Sequence, residues 1–394
     1  MTKLPSLARA KFLRDPKLQK LLAVIAVAGG EARVAGGAVR NALMKVPVSD
    51  VDIACDLPPE KVTAACMAAG FKVVPTGIDH GTVTVIVQRQ PFEVTTLRHD
   101  VETDGRRAKV QYTDDWQADA WRRDFTMNAL YCDAQGRITD FTDGYADILR
   151  NRIRFVGSPA KRIEEDYLRI LRFFRFHARF GKGAPGKAGL AACRRHVRGI
   201  AGLSAERLRQ EMMKLLAAPG AVATLKVMAR SGILKHLLPH TAEWRVLARL
   251  PADPLLRLHV LAAEPADLRE RFKLSNTETE RLAALMFDMP PSPALRPREQ
   301  RIILYQLGAT KWRDLVRLAW ARSKAPSSDA GWKKLLRLPD RWPVPKLPVS
   351  GYDLINGGMA PGPELGQILI RIEDWWMASD FKPDRQALLA RVKR

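Results

Sequence analysis

Cysteine is scarce in this chain, with Cys55, Cys66, Cys132 and Cys193 far apart in 394 residues. No C-x-x-C pair occurs and no histidine stands at ligand spacing. That argues against a structural zinc and for free thiols in a reducing compartment. No apolar run approaches the roughly twenty residues that span a bilayer, so a cytoplasmic location is expected. Near the start, LLAVIAV follows basic residues and precedes AGGEA, a superficial signal-peptide pattern. Cleavage there would leave a glycine motif at a bare N-terminus, so the segment is read as part of the folded protein. Internal repeats and low-complexity tracts are missing too. Acidic residues are in deficit, 42 against 65 Lys and Arg, for a net charge of +23. Such a field attracts polyanions by releasing their counterions, and arginine favours phosphate, so nucleic acid is the first partner to consider.

What is present suggests a mixed architecture of two to four domains with enough apolar content, 46%, to bury their cores. The spacing predicts a helix over Ser6 to Val27. Strands are predicted over Ala32 to Val34, Val51 to Ala54, Phe71 to Val74, Thr82 to Val87, Phe92 to Thr96 and Ala129 to Cys132. Between Leu97 and Trp116 the chain is polar and charged, which predicts a mobile loop placed to act as a lid. From about Ile163 the pattern is helical through Leu338, with EEDYLRILRFFRFHARF the clearest case and Ser204 an N-cap. A proline-rich connector, LPDRWPVPKLPVS, then leads to a last helical segment holding Trp375 and Trp376. These tryptophans, and Phe173, Phe174 and Phe176, are expected to pack cores.

The stretch VAGGAVRNALMKVPVSDVDIA carries the first chemistry. Gly36 and Gly37 follow a short strand and precede a helical pattern, so backbone N–H groups can approach a phosphate there, and Arg40 one turn on can grip it. Residues two apart on a strand share a face, so Asp50 and Asp52 are expected to present both carboxylates to one point, as Mg²⁺ requires. Glu93, in FEVTT, is a candidate third acid at the metal site. Downstream, Asp166, Arg169, Arg172 and Arg175 recur every three residues and are expected to neighbour one another on a helix. A carboxylate beside a guanidinium offers an acceptor next to a donor. Cytosine and adenine present the complementary edge, whereas uracil and guanine present the reverse. Asp166 and Arg169 can therefore accept CTP and ATP and reject UTP and GTP. No Ser, Cys or His triad competes with this reading.

Taken in order, GGAVRN with DVD, TGIDHGTVTV, FEVTTLR, WRRDFTMNAL, DFTDGYADILRNRIRFVG, EEDYLRILRFFRF and SAERLRQE resemble the class II tRNA nucleotidyltransferases and poly(A) polymerases, most closely the CCA-adding enzymes. The resemblance implies an α+β chain. Its parts would be a nucleotidyltransferase head over 1–152, a helical neck for base and RNA binding over 153–216, and a helical body and tail for tRNA binding over 217–394. It implies two Mg²⁺ ions on Asp50 and Asp52, and nucleotide contacts from Gly37, Arg40 and Arg123. Asp166 and Arg169 would read the base, Arg172 and Arg175 would extend that surface, and Asp124 and Asn128 would lie near the ribose. The family motif usually has aspartate where this chain has Asn41. The activity implied is addition or repair of the tRNA 3′-terminal CCA from CTP and ATP, with release of pyrophosphate and without a nucleic-acid template. Partners would be tRNA and the two nucleotides, with no membrane or obligate protein partner. Alternatives are a poly(A) polymerase or a partial CC- or A-adding enzyme and, more distantly, a non-catalytic RNA-binding protein. TGIDHGTVTV stands where poly(A) polymerases carry an arginine-rich stretch, the chain ends without their long basic tail, and the 97–116 segment favours completion with A. His80 is given a supporting role near the nucleotide, and no HD-type phosphohydrolase signature is evident.

Overall fold

The structure, a computed structural model, describes residues 3–77, 81–104, 107–241, 243–263 and 267–392. His80 lies outside the described residues. The chain divides into two compact units, one running up to Pro239 and one from His240 onward.

In the first unit, helix α1 (Pro16–Val27) starts ten residues later than the sequence pattern suggests. Pro16 has no N–H to give an earlier turn, and the Asp15 carboxylate accepts from the Lys17 N–H at 2.9 Å, so the helix is capped there. The strands are β1 (Ala32–Ala35), β2 (Asp52–Cys55), β3 (Lys72–Gly77), β4 (Thr82–Val87), β5 (Gln90–Thr96), β6 (Arg98–Asp104), β7 (Arg107–Tyr112), β8 (Leu130–Cys132) and β9 (Ile138–Asp140). Seven form one sheet in the order β3-β4-β5-β2-β1-β8-β9. Among the described residues only β2 and β5 pair in parallel, with Asp52 beside Glu93, while Ala35 of antiparallel β1 stands on the other side of Asp52. Alternation sets the register: Val83, Val85 and Val87 on β4, and Phe92 and Val94 on β5, are buried, while Glu93 faces out.

The 97–116 segment is a correction. It holds β6 and β7, an antiparallel ribbon separate from the main sheet, because backbone pairing needs no apolar side chains. Helix α2 (Gly37–Leu43) follows β1, α3 (Pro59–Ala68) follows β2, and α4 (Trp116–Trp121) and α5 (Gly144–Leu149) complete the sheet region. Helices α6 (Pro159–Glu165), α7 (Leu168–Phe180), α8 (Lys187–Arg195), α9 (Ala205–Leu216) and α10 (Ala221–Arg230) make up the rest of the unit. Phe125 and Phe155 from the sheet region pack on Phe173 and Phe176 of α7, with ring centroids 5.0 to 6.4 Å apart. Ser204 does stand at the N-cap of α9, although its hydroxyl makes no capping bond.

The second unit is helical among its described residues. Trp376 is buried with Val349, Leu354, Ile372 and Leu388, while Trp375 is partly buried beneath Arg391. No described helix is long and apolar enough to cross a membrane. His259, on the helix Pro254–Leu261, is 4% exposed, and among the described residues its Nδ1 has no partner. Burial, reinforced by the charge of Arg322, lowers its pKa to about 4. An unfolded histidine titrates near 6.5, so between those values the unfolded chain binds the extra proton. Stability therefore falls as pH falls through that window, by about 3 kcal/mol in total. The melting temperature of the protein should drop more between pH 6.5 and 4.5 than that of His259→Leu; equal drops would assign the acid sensitivity elsewhere.

Candidate active site

The turn from β1 into α2 sets one wall. Gly36 adopts φ +65°, and a Cβ built on it would meet Arg123 Nη1 at 3.2 Å and the Asn128 carbonyl at 3.4 Å, so both conformation and space call for glycine. Arg40, one turn into α2, is 9% exposed and lies over the rings of Phe180 and Phe176 at 4.4 and 5.2 Å. Its partners are neutral amides. Nε and Nη2 donate to Asn41 Oδ1 at 3.1 and 2.8 Å, and Nη1 donates to Asn128 Oδ1. Burial, with the charge of nearby Arg175, lowers the Arg40 guanidinium to about 10. The Asn41 amide in turn donates to the Pro47 carbonyl at 3.0 Å, a bond an aspartate could not make.

The acidic residues are arranged differently from the expectation. β2 begins at Asp52, so Asp50 lies in the extended lead-in and not on the strand, with its carboxylate accepting from Ser49 Oγ at 2.9 Å. The approach of the chain across Pro47 keeps residues 46–51 out of the ladder, since proline has no N–H to offer. Glu93 is exposed rather than enclosed by apolar neighbours. Asp52 is accessible to solvent at the mouth of a cleft. There, crowding by protein atoms, then the charges of Glu93 and Asp50, raise its pKa despite the opposing charge of Arg123. An Asp52 carboxylate whose charge is disfavoured by two acidic neighbours belongs to a hard-oxygen donor set that a divalent cation relieves. Among the described residues no three His, Cys, Asp or Glu side chains already converge at ligand distance. The donor chemistry fits Mg²⁺, with the remaining positions left to water and phosphate oxygens.

Arg122 and Arg123 are set by a residue that motif reading did not single out. Asp119, fully buried, accepts from Arg122 Nε at 2.8 Å, Arg123 Nη2 at 2.9 Å and the Tyr131 hydroxyl at 2.6 Å. Burial opposes its ionisation, but Arg123 and Arg122 outweigh that and hold the carboxyl at about 2. A second relay crosses the site. Asn128 Nδ2 donates to Asp124 Oδ1 at 3.0 Å, and Arg172 Nε donates to Asp124 Oδ2 at 2.9 Å, linking Arg40 through Asn128 and Asp124 to Arg172. Burial would raise the Asp124 pKa, but the charge of Arg172 and these hydrogen bonds keep it below the usual carboxylate range.

Asp166 is also displaced from its expected setting. It sits in a break between α6 and α7, with φ −158° and ψ 105°, so the three-residue row begins at Arg169. Its Oδ1 accepts from the Leu168 N–H at 3.1 Å, the local bond by which aspartate starts helices and interrupts them. The side chains of Asp166 and Arg169 do not pair with each other, although the Arg169 N–H donates to the Asp166 carbonyl at 3.0 Å. Arg169 Nη1 donates to the Arg162 carbonyl at 2.7 Å and to Glu165, while Asp166 Oδ2 accepts from Arg207 Nη2 at 2.8 Å. Arg175 pairs with Glu211 of α9.

One cavity of about 450 Å³ gathers most of these groups. Gly36, Gly37, Arg40, Asp52, Arg123, Asp124, Asn128, Asp166, Arg169 and Arg172 line it; Asp50, Glu93 and Arg175 do not. Arg122, Arg207 and Phe176 line it as well. Arg122 and Arg207 lie inside recognised motifs but carried no assignment, and Phe176, expected only as core, faces the cavity as well. Arg207 and Glu211 stand four apart on α9 with opposite charge, the one local signal that could have marked them as a functional face. Six arginines against three carboxylates leave the cavity net positive, suited to a polyphosphate.

Two segments match family models: residues 32–154 match the poly A polymerase head domain, and residues 187–245 match the probable RNA and SrmB-binding site of polymerase A. The chain is 34% identical to the mitochondrial CCA tRNA nucleotidyltransferase 1 of Danio rerio over 92% of its own length and 87% of the relative. It is 33% identical to the CCA-adding enzyme of Lactobacillus delbrueckii subsp. bulgaricus over 90% of each. Among solved structures, it is similar to the Bacillus stearothermophilus CCA-adding enzyme in complex with CTP, with a TM-score of 0.80, 29% identity and coverage of 96% and 97%.

Proposed function

Since this chain belongs to the family of CCA-adding tRNA nucleotidyltransferases and their poly(A) polymerase relatives, we propose that it completes or repairs the 3′-terminal CCA of tRNA from CTP and ATP. The observation that carries this reading is the cavity itself. It unites phosphate-binding arginines, a carboxylate at its mouth and a carboxylate and guanidinium suited to one base edge.

The reaction is an in-line displacement: the tRNA 3′ oxygen bonds to the nucleotide α-phosphorus as the bond to the β-phosphate oxygen breaks and pyrophosphate leaves. Mg²⁺, as two ions held by Asp50 and Asp52, would supply the charge that favours the alkoxide and the departing pyrophosphate. Arg40 and Arg123 hold the triphosphate. Arg40 is positioned by two neutral amides and makes no direct ion pair among the described residues, and Arg123 is fixed in direction by Asp119 and Tyr131. Gly36 admits the phosphates where a side chain would crowd Arg123. Asp166 accepts the exocyclic amino group of cytosine or adenine, and Arg169 donates to the ring nitrogen. Glu93 adjusts the charge around Asp52 from the neighbouring strand. The basic helical body would hold tRNA by shape and phosphates. A reducing, cytoplasmic setting fits four unpaired, buried thiols.

The test is incorporation into three tRNA transcripts, ending before CCA, after C and after CC, with each of the four nucleoside triphosphates. Two C and one A, followed by arrest, are expected. Continued addition of A alone would make the protein a poly(A) polymerase.

A further inference from the structure

The direction in which Asp166 points is not fixed by a helix. Its backbone is extended between α6 and α7, and its carboxylate is held by two donors, the Leu168 N–H on Oδ1 at 3.1 Å and Arg207 Nη2 on Oδ2 at 2.8 Å. The first belongs to the adjacent turn. The second comes from α9, 41 residues away in sequence. Arg207 itself faces the cavity, and the side chains of Arg207 and Asp166 are 23% and 22% exposed, so the contact lies at the cavity wall and not in a sealed core. Glu211, one turn further along α9, engages Arg175 and approaches Arg172 at 3.8 Å. One face of α9 thus braces the cavity-facing charges of α7 and of the break before it.

We propose that Arg207 is a specificity-determining positioning residue, which turns the Asp166 carboxylate so that its free lone pairs meet the base and its occupied ones do not. The inference rests on the reading that Asp166 accepts the amino group of cytosine or adenine. A carboxylate held in that direction faces O4 of uracil or O6 of guanine with oxygen against oxygen, and this repulsion is the rejecting element. Without Arg207, Asp166 keeps only its bond to the Leu168 N–H and swings aside. The donors of Arg169 then remain in the cavity to meet a carbonyl edge, so discrimination falls further than turnover of the correct nucleotide does.

The measurement is kcat/KM for all four nucleoside triphosphates on a tRNA ending before CCA and on one ending after CC. It is made on the full chain and on Arg207→Gln, Arg207→Lys and Asp166→Ala, each checked for an unchanged melting curve. Arg207→Gln should reduce the preference for CTP over UTP, and for ATP over GTP, by about tenfold or more. Arg207→Lys, which keeps a charged donor, should restore part of it. If Arg207→Gln lowers all four values by one common factor while Asp166→Ala alters the ratios, Arg207 is structural and the inference is overturned, with base reading by Asp166 intact. If Asp166→Ala leaves the ratios unchanged, base reading by Asp166 fails and the role of Arg207 falls with it.

Discussion

Asp52→Asn is expected to lower kcat for nucleotide addition by about 10³-fold or more while leaving the melting temperature unchanged or slightly higher. The catalytic loss follows from its place at the cavity mouth if, as proposed, its carboxylate supplies charge and a metal ligand to phosphoryl transfer; removing such a group costs several kcal/mol of transition-state stabilisation. The opposite sign for stability follows from the same position. Crowding and the charges of Glu93 and Asp50 already disfavour the ionised form, so the folded state carries a repulsion that asparagine removes. Single-turnover kinetics with saturating tRNA and a thermal melt decide it. Activity within about tenfold of the parent would remove Asp52 from the chemistry. A large fall in melting temperature would make the kinetic loss a folding effect.

Asp119→Ala should act in the reverse order, with stability lost first. It would leave Arg122 and Arg123 without their shared carboxylate and the buried Tyr131 hydroxyl proton without its acceptor. Breaking a buried charge pair from one side typically costs about 3–5 kcal/mol, and a unit of this size then melts roughly 10 °C lower. Tyr131→Phe removes two hydrogen bonds, the one donated to Asp119 and the one accepted from Arg123 Nε, and no charge, so it should cost less, about 2 kcal/mol. Thermal melts of both variants, with nucleotide KM measured below the lowered transition, separate anchoring from contact. If Asp119→Ala melts within 2 °C of the parent, roughly, the network does not stabilise the fold as its burial implies.

Most of the sheet was legible in the sequence because its strands bury alternate residues, and Val83, Val85, Val87, Phe92 and Val94 leave that period in plain view. The ribbon of β6 and β7 was not, since its sequence carries no apolar alternation and its pairing lies in the backbone. Nor was the break at Asp166 visible, because EEDYLRIL keeps a helical period on both sides of it and only the bond to the Leu168 N–H reveals the interruption. The glycine turn, Arg40 and Asp52 could be found by residue type and spacing. Asp119 was missed although Arg122 and Arg123 stand three and four residues on, the spacing of a helical ion pair; what the local sequence does not show is its burial against the Tyr131 hydroxyl of β8. The sequence likewise showed Arg169 and Asp166 close together, but not that each is already held by a different partner.

The phenyl rings that join the sheet region to α7 set a limit on how this enzyme can be divided. Phe125 and Phe155 fill one side of that contact, and Phe173 and Phe176 fill the other. The same Phe176 carries Arg40 on its face. A fragment stopping before α6 would uncover that aromatic surface and take the backing from Arg40. The sheet region and α7 therefore share one aromatic core, and a chimera with a relative would have to exchange them as one piece.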